Sequence, residues 1–157
     1  MLKKPKISLG VSQSYNSILD KQGLQMKKLV ALVVTKSGVK NIQDHESVMT
    51  KEMLEDIYEE ANEDDALDRL KEKLSHEYQN NEFDRAYQKA LIQLCSNIQV
   101  VTEDELKLLA SQRADMIVSY LTQERSVLPD RVSKKELIVT DLKEDEFVKI
   151  NMEIEVK

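Results

Sequence analysis

The chain has 157 residues, 41% of them apolar and 33% charged, which is the size of one ordinary domain and enough to bury a core without disulfides or metals. Its net charge of −6 and its lack of a basic stripe with interleaved aromatics argue against a nucleic-acid partner and against attraction to an anionic membrane surface. No apolar run approaches the ~20 residues needed to span a bilayer, so direct membrane insertion is not expected.

Ile7, Leu9 and Val11 alternate with Lys6, Ser8 and Gly10, which predicts a short half-buried strand introduced by Pro5. Ser12 to Ser17 is polar and reads as a loop. A helix is expected from about Asp20 to Lys36, with Met26, Leu29 and Val33 on one face and Gly38 as its C-cap. Residues 39–49 read as loop, and Thr50 as the cap of the next helix. Met53, Leu54, Ile57, Tyr58 and Ala61 give that helix an apolar stripe, which Ala66, Leu67, Leu70 and Leu74 resume after an interruption at Asn62–Asp65. Phe83, Tyr87, Leu91, Leu94 and Ile98 mark a further helix.

Thr102-Glu103-Asp104-Glu105 is a capping box, and Leu106, Leu109, Ala110, Ala114, Ile117 and Leu121 form the stripe of the helix it opens. Leu137-Ile138-Val139 reads as a short strand. Val148, Ile150, Met152, Ile154 and Val156 alternate with Lys149, Asn151, Glu153, Glu155 and Lys157, the cleanest period of two in the chain. That pattern predicts a last strand with one face packed on helices and the other in water. The expected fold class is therefore α+β: a small mixed sheet of strands near 5–11, 136–140 and 147–156, covered by several helices, in one domain over 1–157.

Three stretches carry a resemblance. They are Lys4 to Val11 with Asp20 and Leu24, Asn81 to Val100, and Asp104 to Ala114 running on through Tyr120-Leu121 to Asp130-Arg131-Val132. Together they resemble the C-terminal region of large AsmA-like bacterial envelope proteins, domain-of-unknown-function family seven-four-eight. The last stretch is also similar to the OmpA-like, peptidoglycan-associated fold. The resemblance implies an OmpA-like core with a helical insertion. It implies a fragment from the C-terminal end of a longer protein, exported to the periplasm of a Gram-negative cell, although no signal peptide opens this sequence. Its partners would be another envelope protein, the rest of the parent chain, or peptidoglycan.

Arg113 matches the arginine that binds the diaminopimelate carboxylate of peptidoglycan in OmpA-like domains. Those domains also place an aspartate just after the glycine that ends the strand, where this chain has Val11, Ser12 and Gln13 after Gly10. The resemblance thus offers Arg113 and Gln13 as ligand-binding candidates, with no carboxylate to balance the ligand's amino group.

The remaining chemistry-bearing residues have structural readings. Between Glu52 and Asp68 there are nine acids and no bases, but no calcium-loop glycine, so a solvated helix face is expected. His45-Glu46 and His76-Glu77 lack the second histidine that a zinc helix needs. Cys95, the single cysteine, lies among Leu91, Leu94 and Ile98 and reads as a buried small hydrophobe. Gly10, Gly23 and Gly38 are too far apart for a phosphate loop. No catalytic residue, metal site or cofactor is expected. The expected role is a non-catalytic envelope domain for protein–protein interaction or structural support, with a peptidoglycan stem-peptide module centred on Arg113 as the alternative.

Overall fold

In the computed structural model, residues 6–44, 46–141, 148 and 150–156 are described. Residues 1–5, His45, residues 142–147, Lys149 and Lys157 lie outside them, so the expectations for Pro5, the first histidine and the start of the last strand are not addressed. The fold is mixed α+β: five α-helices and a three-stranded mixed sheet. The chain divides into two compact units. One comprises the described part of 1–21 and 101–157, the other residues 22–100.

In the first unit the sheet has the order β2-β1-β3, with β1 at Ile7–Asn16, β2 at Val132–Thr140 and β3 at Met152–Val156. The two outer strands come from late in the chain. β2 runs parallel to β1, and β3 runs antiparallel to it. The parallel pair shifts register between Val11 and Gln13, so that β2 carries one extra residue there. Helix α5 (Glu103–Ser119) packs on β1 and β2. It buries Leu106, Ala110 and Ala114, one residue per turn, and the two alanines let its backbone approach the sheet. Val11 and Tyr15 are the buried apolar side chains of β1. Register places Lys134 beside Val11, and Lys134 reaches back to Ser111 and Asp115 of α5, at 3.1 and 2.8 Å. The helix therefore covers the Val11 face. The capping box is formed: Thr102 Oγ1 accepts from the Glu105 amide, and the Glu105 carboxylate accepts from the Thr102 amide at 2.8 Å.

The second unit holds most of α1 (Leu19–Ser37) with α2 (Val48–Glu60), α3 (Ala66–Ser75) and α4 (Asn81–Ile98). Its core is Leu29, Val33, Leu54, Ile57, Tyr87, Leu91 and their neighbours. Stripes at helical spacing converge there as expected for amphipathic helices.

The structure corrects three local expectations. Ser12–Asn16 is strand, not loop. Ser12, Ser14 and Asn16 are small enough to be buried on the face opposite Val11, and pairing with β2 supplies the backbone hydrogen bonds. The cap of α2 is Ser47, whose Oγ accepts from the amide of Thr50, while Thr50 is itself buried inside the helix. The apolar face of the last strand is not packed away: Met152, Ile154 and Val156 are 59%, 72% and 68% exposed.

Candidate functional site

The polar centre of the first unit forms where β1 passes into α1. Asn16 Oδ1 accepts from the amides of Ile18 and Leu19, both at 2.9 Å, and so satisfies donors that the first turn of α1 leaves open. Asp20, in that first turn, returns a bond: its Oδ2 accepts from the Asn16 amide at 2.7 Å. Arg113, on α5, then forks onto the same carboxylate. Its two terminal nitrogens donate to Oδ2 at 2.8 Å and Oδ1 at 2.5 Å. The Asp20 side chain is 5% exposed and that of Arg113 is 29% exposed. This is the planar two-point geometry that guanidinium and carboxylate favour. It ties the end of the central strand, the start of α1 and the middle of α5 into one joint.

The two ligand-binding candidates read from the sequence each hold a partner within the chain. Arg113 holds a carboxylate of its own chain. Gln13 donates from Nε2 to the main-chain oxygen of Lys135 at 2.9 Å, across the register shift. An external carboxylate directed at Arg113 competes with Asp20.

The other face of the sheet carries a second polar group. Ser8 Oγ donates to Glu155, and Lys135 pairs with the same carboxylate. Gly10 lies opposite Glu153 on β3 and leaves room for the Lys135 stem: a Cβ at Gly10 would clash with Lys135 Cε. The sequence pattern singled out neither Lys135 nor Glu155. The lone glycine between the apolar positions of β1 was the signal for a close approach.

In the helical unit, Tyr87 donates to Glu55 Oε1 at 2.6 Å, and Lys71 pairs with the same oxygen at 3.2 Å. Burial, then the bond to Glu55, pushes the Tyr87 hydroxyl well above its ordinary range. Burial also pushes the Cys95 thiol up to about 12, and Cys95 sits 3.2 Å from the Leu54 carbonyl oxygen. The acids between Glu52 and Asp68 include Glu63 and Asp65, which both take Arg69, each at 2.9 Å. Among the described residues no three His, Cys, Asp or Glu side chains converge as metal ligands, and no helix is long and apolar enough to cross a membrane.

What remains open in the first unit is an edge. Among the described residues the outer side of β3 pairs with no strand. Ile7, Leu9 and Val11 stand opposite Val156, Ile154 and Met152, so these side chains share the Val11 face. Ile7, Met152, Ile154 and Val156 are the exposed members and form an apolar ledge. Comparison with family models, with curated proteins and with solved structures finds no match to this chain.

Proposed function

We propose that this chain is a non-catalytic interaction module of an AsmA-like envelope protein, which takes up a strand from another envelope protein or from the rest of its parent chain. The observation that carries this reading is the β3 edge. An unpaired edge whose alternate residues turn backbone donors and acceptors outward is a template for a further strand. Ile154 and Val156 offer apolar contacts on one face. On the other face Glu153 lies opposite Gly10, and the Lys135 stem that fills the space over Gly10 goes on to pair with Glu155, so Glu153 has no ion-pair partner among the described residues.

The partner segment that fits is an extended stretch of alternating apolar and basic residues. Its apolar side chains lie along Ile154 and Val156, and a lysine or arginine stands opposite Glu153. Cross-strand pairs of these kinds contribute about 0.2–1 kcal/mol each, so the main-chain ladder supplies the rest of the affinity. The envelope setting rests on the resemblance carried by β1, α4 and α5, together with Asp20 of α1, which Arg113 of α5 holds at the end of β1. An NMR titration with a synthetic peptide of alternating valine and lysine tests the reading. Saturable shifts along β3 and Ile7 support it; an unchanged spectrum at millimolar peptide overturns it.

A further inference from the structure

The outer side of α5 carries a row of side chains that the first unit leaves uncovered. Leu106, Ala110 and Ala114 turn to the sheet. On the other side Asp104, Leu108, Gln112, Met116 and Tyr120 follow at four-residue intervals and climb obliquely across the exposed surface, the last of them opening a short π-turn at Tyr120–Glu124. Leu108, Met116 and Tyr120 are 57%, 73% and 47% exposed. Side chains at this spacing are neighbours on a helix, so the row stands as a single ridge.

The charges of the ridge sit at its ends. Asp104 stands at the start, in the first turn of α5. At the finish the Arg125 guanidinium lies 5.2 Å from the centre of the Tyr120 ring, and Arg125 Nε donates to the Tyr120 hydroxyl at 2.7 Å. That bond uses one donor of the guanidinium and leaves its terminal nitrogens for an acceptor. Neither Asp104 nor Arg125 makes an ion pair among the described residues. The charges beside the ridge are held within the chain: Lys107 by Glu103 and Asp115 by Lys134, both at 2.8 Å.

The ridge is its own complement. Gln112 is the midpoint, with Leu108 and Met116 four residues to either side of it and Asp104 and Tyr120 eight. A two-fold axis at Gln112 that sets a second α5 antiparallel lays Leu108 of one copy on Met116 of the other. It also brings Asp104 to the neighbour's Tyr120–Arg125 pair, and every contact is made twice. Ridges of this four-residue kind pack side by side when the helix axes are inclined by about 50°. A parallel arrangement sets Asp104 against Asp104 and Arg125 against Arg125, so charge selects the antiparallel one.

We infer that the outer face of α5 is a self-association surface whose partner is a second copy of this chain, packed antiparallel across Gln112. Leu108, Met116 and Tyr120 supply the apolar contact, and the two Asp104–Arg125 pairs fix direction and register. One helix face buries less than a standard interface, so the dimer is weak and forms at high chain concentration.

Sedimentation of the full chain from micromolar to millimolar concentration tests the inference. The native chain is expected to pass from monomer to dimer. A mixture of isotope-labelled and unlabelled chains is expected to show an intermolecular NOE between the Leu108 and Met116 methyl groups. Asp104→Lys alone and Arg125→Glu alone are each expected to weaken association about tenfold, since symmetry turns two attractions into repulsions at once. An equimolar mixture of the two variants is expected to regain most of the loss: in the mixed pair the two reversed side chains meet each other and the two native ones meet each other. Local damage to the first turn of α5 or to Tyr120 would persist in the mixture, so recovery reports a contact between chains. The inference is overturned if the native chain stays monomeric at millimolar concentration, if either single variant associates like the native chain, if the mixture does not recover, or if the NOE joins Leu108 to Leu108. The β3 edge takes no part in these readouts, so their outcome is separate from that of the strand-uptake reading.

Discussion

Arg113 grips Asp20 through two parallel hydrogen bonds although the residues stand 93 positions apart in sequence. The pair joins the first turn of α1 to the middle of α5, and the bond from the Asn16 amide to Asp20 extends the joint to the end of β1. Removing one member of such a pair strands a charge in a poorly solvated place. Because the Arg113 side chain keeps some solvent contact, the cost lies below that of a fully buried pair. Asp20→Asn is expected to destabilise the chain by about 2–3 kcal/mol. A double-mutant cycle with Arg113→Met, read by urea unfolding, is expected to show strong coupling between the two sites. Additive effects would contradict the joint.

The same pair governs the peptidoglycan alternative. With Asp20 occupying the guanidinium fork and no aspartate just after Gly10, a diaminopimelate-containing muropeptide lacks both halves of its clamp. Titration at millimolar concentration is expected to leave the Arg113 side-chain signals unmoved. Saturable shifts there would show that an external carboxylate displaces Asp20.

Alkaline pH is expected to weaken the helical unit. The Cys95 thiol has a folded value of about 12 against an ordinary 9.0, so the folded state holds its proton more tightly than the unfolded state does. Tyr87 shifts in the same upward direction from 10.0. For groups of this sign the stabilisation is complete below the unfolded value and is lost as pH rises towards the folded one. Stability should thus fall above about pH 9. Replacing Cys95 with Ala should flatten the first part of that fall, measured by urea midpoints across the alkaline range. Native Cys95 should also resist thiol reagents at neutral pH until the chain unfolds.

Gly10 is needed for the space it leaves rather than for its backbone freedom. A methyl group there meets the stem of Lys135 and pulls it from Glu155. Gly10→Ala is expected to cost about 1 kcal/mol, because only a flexible side chain and a part-exposed ion pair have to yield. In a Lys135→Ala background the cost should vanish, since the obstructing stem is gone. A cost that persists would place the obstacle in the backbone.

Much of this architecture is legible in the sequence because its signals are local. The Thr102 box, the 3.6-residue stripes of α2 to α4, and the alternation at both ends of the chain each specify an element without reference to its neighbours. The β1–β3 pairing could be anticipated because two half-apolar strands need each other. Signals that depend on partners were not legible. Ser12, Ser14 and Asn16 look like loop until β2 is laid beside them, and period two reveals that β3 has two faces but not which one is covered. Arg113 was visible as a residue with a task, while Asp20 as its partner required the α1 and α5 positions to be known together.

A charge exchange on the β3 edge tests the strand-uptake account most directly. The native chain is expected to bind a valine–lysine peptide and to ignore a valine–glutamate peptide of equal length. In the Glu153→Lys variant the preference should reverse, because position 153 has no ion-pair partner among the described residues and stands where an incoming strand pairs. Reversal, with shifts centred on Ile154 in both cases, is the predicted result. Equal binding of both peptides by both chains, or shifts that avoid β3, would contradict it.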